Sequence, residues 1–138
     1  MKRTWWFCFA VSFFGCATVP KGDVDELKPT IEAFHKCARW KDFQCIANML
    51  VPEKRDAFLK ARTTLKDERD LSVTDYELEE AKVSPDRLKA AAISHIRWFR
   101  LPSTSEENST VTSNWIWQEK TWRLDSQDGG PFASDLKL

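Results

Sequence analysis

The stretch TVTSNWIWQEKTWRL at residues 110–124 alternates polar and apolar side chains and reverses once. Alternation with period two marks strands that cover something on one face only. With Glu119-Lys120 as a two-residue turn, Trp117 stands opposite Trp122 and Trp115 opposite Leu124. All four then share one face, and Ile116 and Arg123 share the other. Residues 110–118 and 121–124 are therefore expected as the last two strands of an antiparallel sheet. The tryptophan face has two readings: an aromatic wall for a sugar, lipid or other apolar ligand, or a core face packed on a helix. Burial is the usual fate of large aromatics, which favours the core.

Upstream of the hairpin the chain alternates again. Residues 72–80 place Asp75, Glu77 and Glu79 on one side and Tyr76, Leu78 and Glu80 on the other. Residues 90–101 are apolar on both parities, the pattern of a central strand covered on both faces. A polar loop at 102–109 leads into the hairpin. The tail from 126 to 138, with Gly129-Gly130-Pro131, is expected to be flexible.

Before residue 71 the period is helical. Asp23 or Asp25 can cap a helix whose first turn tolerates Pro29, and Leu27, Ile31, Phe34 and Ala38 fall on one face. A break at Lys41-Asp42 precedes a second stripe of Phe43, Ile46, Ala47 and Leu50, which Pro52 ends. A third helix is expected over 53–67, with Phe58, Leu59 and Leu65 inward. Helices followed by an antiparallel meander define an α+β fold, N-terminal helices packed on a curved sheet.

The helix at residues 29–40, the break Lys41-Asp42-Phe43 and the closing Trp115-x-Trp117-x4-Trp122-Arg123-Leu124 carry a family likeness. Through them residues 23–125 resemble the nuclear transport factor 2-like (cystatin-like cone) domains, in their small exported lipoprotein branch. The resemblance implies a curved sheet wrapped around a long helix, with a pocket at its open end. Some members of that superfamily are isomerases or dehydratases, and many only bind.

The chain opens with Met1-Lys2-Arg3 and a largely apolar run from Thr4 to Phe14, then Gly15-Cys16. A basic head followed by a short apolar run is a secretory signal pattern. The run falls well short of the roughly 20 residues of a membrane-spanning helix. Phe13-Phe14-Gly15-Cys16 resembles a bacterial lipobox, which implies residues 1–15 as signal peptide, a lipidated Cys16 and a tether over 16–22. Ala17 is not the aspartate associated with inner-membrane retention, so the resemblance implies the outer membrane, facing the periplasm. Gly15 and Ala17 also satisfy the small-x-small rule of ordinary cleavage, which would release a soluble periplasmic protein. An uncleaved weak anchor is the third reading.

In an exported chain thiols oxidise, and Cys37 and Cys45 are the two left in the domain. On one straight helix their Cα atoms would lie about 12 Å apart. A disulfide tolerates roughly 7 Å, so a bond between them demands the reversal at Lys41-Asp42. The short loop it closes is worth about 2.5 kcal/mol by chain entropy. His35 with these cysteines lacks the paired spacing of a zinc site, and no metal or cofactor is implied.

The 138 residues carry 21 basic and 21 acidic side chains. Zero net charge offers no general pull toward nucleic acid. Catalysis would need an acid or base inside the cone, where Tyr76, Glu80 and His95 are the candidates. With Trp115, Trp117 and Trp122 they make up the expected ligand-facing set. The expected function is a non-catalytic, membrane-anchored module that binds an envelope protein. Binding of a small apolar ligand or lipid in the cone is the second reading, and a pocket enzyme the third.

Overall fold

A computed structural model describes residues 21–137. The sequence reading of the signal peptide, of Cys16 and of tether residues 16–20 lies outside the described residues. Helix α1 (Val24–Arg39) is followed by α2 (Phe43–Met49), a short 3-10 turn (Pro52–Lys54), α3 (Arg55–Thr64) and α4 (Asp67–Asp70). Four antiparallel strands follow in meander order: β1 (Leu71–Val83), β2 (Lys89–Arg100), β3 (Glu107–Gln118) and β4 (Thr121–Asp128). A last turn of helix, α5 (Ala133–Leu136), closes the chain. The α+β architecture expected from the sequence is present, with the helices on one face of a curved sheet.

Asp23 caps α1 by accepting from the Asp25 N–H. Asp25 and Glu26 sit in the first turn and Lys36 and Arg39 in the last, each matched to the helix dipole. Pro29 stands inside the helix rather than in its first turn. Its missing N–H leaves one carbonyl of the opening turn without an intrahelical partner. Leu27, Ile31, Phe34 and Ala38 are buried as expected. The chain reverses at Lys41, whose φ is +58°. There the Asp42 N–H bonds to the Cys37 carbonyl at 2.9 Å, and the Asp42 side chain caps α2 through the Cys45 N–H. The reversal brings the Cα atoms of Cys37 and Cys45 to 6.1 Å, and the two form a disulfide.

The third helix is shorter than expected. Lys66, at φ +57°, breaks the 53–67 segment, so Leu65 is left exposed while Phe58 is buried. β3 begins at Glu107, inside the stretch expected as loop.

Two bulges in β1 change which side chains face the helices. One falls between Val73 and Asp75, the other between Leu78 and Glu80. Each inserts a residue and so reverses the strand's parity. Tyr76 and Leu78 pack toward the core as expected, with Asp75, Glu77 and Glu79 exposed. Past the second bulge Glu80 swings outward to pair with Lys82, and Ala81 takes the inner side.

On β2 the even positions Ala90, Ala92, Ser94 and Ile96 are buried, while Ala91, His95 and Arg97 are exposed. The expectation of cover on both faces is corrected: the odd-parity apolar residues Ile93 and Phe99 are only half-buried. No second layer lies over them among the described residues. The last hairpin follows the expected register, Trp117 against Trp122 and Trp115 against Leu124. Positive φ at both Glu119 and Lys120 is the signature of a two-residue type I′ turn.

The segment after residue 125, expected as a flexible tail, continues β4 to Asp128 and then enters the core. Gly129, at φ +80°, sits so close to β3 that a Cβ there would lie 2.4 Å from the Thr110 carbonyl oxygen. The turn delivers Phe132 and Leu136, both buried, onto the inner layer. Phe132 meets Phe34, Phe43 and Phe58 edge-on. The Arg62 guanidinium lies 4.9 Å from the Phe58 ring centroid and 4.8 Å from that of Phe132. It pairs with Asp67 and with Asp135 of α5, while Arg100 of β2 reaches the other Asp67 oxygen at 2.9 Å. Burial pulls the Arg62 pKa down to about 10, against the raising effect of Asp67. The side chain stays charged at neutral pH.

Asp67 is wholly buried and holds two guanidinium groups. Asp67→Ala is therefore expected to cost about 3–5 kcal/mol in urea unfolding, the cost of uncovering a buried cation. Phe132→Ala is expected to cost a similar amount through the cavity it leaves. A loss of under about 1 kcal/mol for Phe132→Ala would place the tail outside the core, since surface substitutions cost that little.

Candidate functional site

The inner face of the sheet is where a cone pocket would lie, and the protein's own side chains occupy it. Trp115, 1% exposed, packs edge-on to Phe34 at 6.0 Å and donates its indole N–H to Ser113 Oγ. Trp122 is buried beside Trp117 at 5.4 Å and donates to the Asp23 carbonyl. Gly22 lies directly on these two rings: a Cβ there would fall 2.2 Å from Trp122 and 2.7 Å from Trp117. The tryptophan face is thus packed on α1 and the segment before it, as the core reading expects. Half-buried Trp117 forms the rim.

Tyr76 stacks on His35 of α1, ring centroids 5.0 Å apart at 25°. His35 is 3% exposed, and its Nε2 lies 3.1 Å from Ser94 Oγ. Its Nδ1 is buried without a hydrogen-bond partner. Burial lowers the His35 pKa to about 4, so the ring is neutral at pH 7. From the sequence alone His35 figures only beside Cys37 and Cys45, in a spacing that does not make a zinc site. The available signal was its spacing: Leu27, Ile31 and His35 recur every four residues on one helical face.

His95 and Glu80 lie on the other side of the sheet from Tyr76. His95 projects outward from β2, its side chain 52% exposed, with Nε2 2.7 Å from Glu79 and Nδ1 3.3 Å from Thr110 Oγ1. Next to it Asp75 pairs with Arg97. Hydrogen bonds from the Arg97 guanidinium and the Tyr76 N–H hold the Asp75 carboxyl below the usual carboxylate range. The three catalytic candidates are therefore divided by the sheet and do not converge.

The chain Thr110–His95–Glu79 has the order of nucleophile, base and orienting acid. Acyl transfer also needs donors aimed at the developing oxyanion. β2 is paired on both sides, so the amides flanking His95 are committed to its ladders. The arrangement is accounted for as a cross-strand polar ladder.

Among the described residues no group of three or more His, Cys, Asp or Glu side chains could hold a metal ion, and no helix is long and apolar enough to cross a membrane.

No protein-family model matches the chain, and no curated protein is similar to it in sequence. Solved structures share its fold. An NTF2-like protein of unknown function from Pseudomonas putida KT2440 superposes with a TM-score of 0.61 at 13% identity, over 83% of this chain and 92% of that one. An NTF2-like protein of unknown function in nutrient uptake from Rhodospirillum rubrum gives 0.60 at 13% identity, over 77% and 98%. A cystatin-like domain of unknown function from Nostoc punctiforme gives 0.56 at 13% identity, over 84% and 80%. These likenesses establish the cone fold and nothing about activity.

The buried neutral His35 makes stability depend on pH. Its pKa is about 4 in the folded protein against 6.5 normally, so below pH 6.5 the unfolded chain takes up a proton that the folded chain refuses. Stability is expected to fall as pH drops from 6.5 toward 4, by about 3 kcal/mol in all from this group. Urea midpoints measured across that range should show the slope, and His35→Gln should flatten it. An equal slope in the variant would assign the effect elsewhere.

Proposed function

We propose that the protein is a membrane-anchored envelope lipoprotein whose cone domain serves as a non-catalytic protein-interaction module. The observation that carries this reading is the filled interior. Trp115, Trp122, Phe34 and Phe132 occupy the inner face, and the candidate acids and bases do not meet there. A domain of this kind acts through its surface. A small apolar ligand in the cone would first have to part Gly22 and Phe34 from the indoles they cover.

The anchoring half of the reading rests on the sequence: a basic head, a short apolar run, and Gly15-Cys16. Stable attachment takes more than one acyl chain, as a lipobox cysteine supplies. Because Gly22 is packed on the tryptophans, at most six residues, 16–21, are left as tether, and these reach about 21 Å when extended, which would keep the domain close to its bilayer.

The test is purification of the tagged full-length protein from its native envelope in detergent, with intact mass measured at the N-terminus. An acylated Cys16 and a stoichiometric protein partner are expected. Cys16→Ala should move the protein to the soluble fraction and abolish its function while the domain stays folded. An unacylated N-terminus would overturn the anchor, and a protein that always arrives alone would overturn the interaction role.

A further inference from the structure

Among the described residues three leucines are exposed to a similar degree, Leu65, Leu88 and Leu101. Two of them belong to one end of the domain. Leu101 follows β2, and its N–H donates to the Asp70 carbonyl at the close of α4, while Leu65 precedes the Lys66 turn that opens α4. Trp40, 75% exposed, belongs to the same end, where Lys41 reaches the Glu68 carbonyl. Leu88 lies before β2, in the β1–β2 turn, and the strand's twelve residues carry the chain about 40 Å from it to Leu101.

The N-terminal segment meets the fold beside Leu88. The Gly22 N–H donates to the Arg87 carbonyl at 3.1 Å, and Arg87 Nε donates back to the Gly22 carbonyl at 2.8 Å. The Arg87 guanidinium also holds the Asp23 carboxylate at 3.0 Å. With Gly22 packed on Trp117 and Trp122, residue 22 is fixed against the turn that presents Leu88. The Trp117 N–H donates to the Leu88 carbonyl, so the end of β3 lies alongside.

The acids of the two turns at this end are matched within the protein. Asp86 accepts from Ser84 Oγ and from the Leu88 N–H, Glu80 pairs with Lys82, and Glu119 pairs with Arg123. An apolar side chain in that setting enters a lipid headgroup layer without drawing a bare carboxylate in with it.

We propose that the β1–β2 turn rests on the bilayer surface, with the Leu88 side chain in the boundary between headgroups and acyl chains, and that the end carrying Trp40, Leu65 and Leu101 faces away from the membrane. The inference rests on the anchored reading above. From an acylated Cys16, residues 16–21 allow Gly22 no more than about 21 Å from the lipid, and the Gly22–Arg87 hydrogen bonds put Leu88 at that point of attachment. A single exposed leucine is ordinary on a protein free in solution. On so short a tether the encounter is intramolecular, at an effective concentration on the order of millimolar, and burial of one leucine then holds the contact.

The experiment is methyl NMR of the full-length protein, labelled at its leucine methyl groups and placed in nanodiscs of phosphatidylethanolamine and phosphatidylglycerol. Intact mass first establishes whether Cys16 is acylated. A lipid bearing a nitroxide high on its acyl chain is then added, and its reduced form is the diamagnetic reference. The three exposed leucines are assigned with Leu65→Val, Leu88→Val and Leu101→Val, each a conservative change at the surface. The nitroxide should abolish the Leu88 methyl signals and spare those of Leu65 and Leu101. Leu88 signals retained as fully as the other two, in an acylated protein, would overturn the inference and leave the anchor standing. Equal loss at all three leucines would overturn it as well, since the domain would then have no fixed end on the lipid. An unacylated N-terminus would overturn the anchor and this inference with it.

Discussion

A single charged group, the guanidinium of Arg62, sits where four parts of the chain meet. Phe58 of α3 and Phe132 of the C-terminal segment, themselves in edge contact, both lie against it, while Asp67 of α4 and Asp135 of α5 pair with its terminal nitrogens. Through Asp67 the same network reaches Arg100 at the end of β2. Buried ion pairs contribute little net stability relative to a well-packed apolar core, but they are costly to break. Their effect here is to fix geometry: α3, α4, the sheet and the tail can dock in only one arrangement that leaves no carboxylate or guanidinium uncompensated. The hydrophobic layer of Phe34, Phe43 and Phe132 supplies the bulk of the packing, and the ion network sets where its edges stop.

That network explains why the C-terminal segment was illegible in the sequence. Gly129-Gly130-Pro131 has the composition of a loop, and only three apolar residues, Phe132, Ala133 and Leu136, follow before Lys137. Nothing local distinguishes a frayed end from one that plugs a core; the difference lies in Arg62 and Phe58, about seventy residues away. By contrast, features set by near neighbours could be read directly. The α1 stripe, the reversal at Lys41-Asp42 between Cys37 and Cys45 and the register of the tryptophan hairpin all follow from spacing within a dozen residues. Each appears where the spacing places it.

The β1 strand marks the boundary between the two cases. Its alternation is genuine from Asp75 to Leu78, but bulges on either side reverse the faces. A period-two argument carried through a bulge returns the wrong side for everything beyond it. Unbroken alternation puts Glu80 on the inner side with Tyr76 and Leu78, and the bulge before it turns it out. His95 could be placed outward only by knowing that Ala90, Ala92, Ser94 and Ile96 face the helices. A strand apolar on both parities does not reveal which face is covered when just one layer of helices exists. The candidate site expected inside the cone therefore dissolved into two surfaces.

The same facts shift the chemistry outward. In an interior occupied by indoles and phenyl rings, a polar group survives only when matched, as Ser113 is to Trp115 and Ser94 to His35. Besides the Arg62 nitrogen set against Asp135, three buried ring or guanidinium nitrogens among the described residues depart from that rule: His35 Nδ1, Arg62 Nε and Arg123 Nε. They differ in setting. His35 is sealed beneath Tyr76, and burial keeps it neutral, so a missing bond there costs little charge. Arg62 remains charged, and Asp67 and Asp135 pair with its terminal nitrogens in the buried layer. With Phe34, Trp115, Trp122 and Phe132 filling the interior, recognition by this domain is better sought on its surface than inside its sheet.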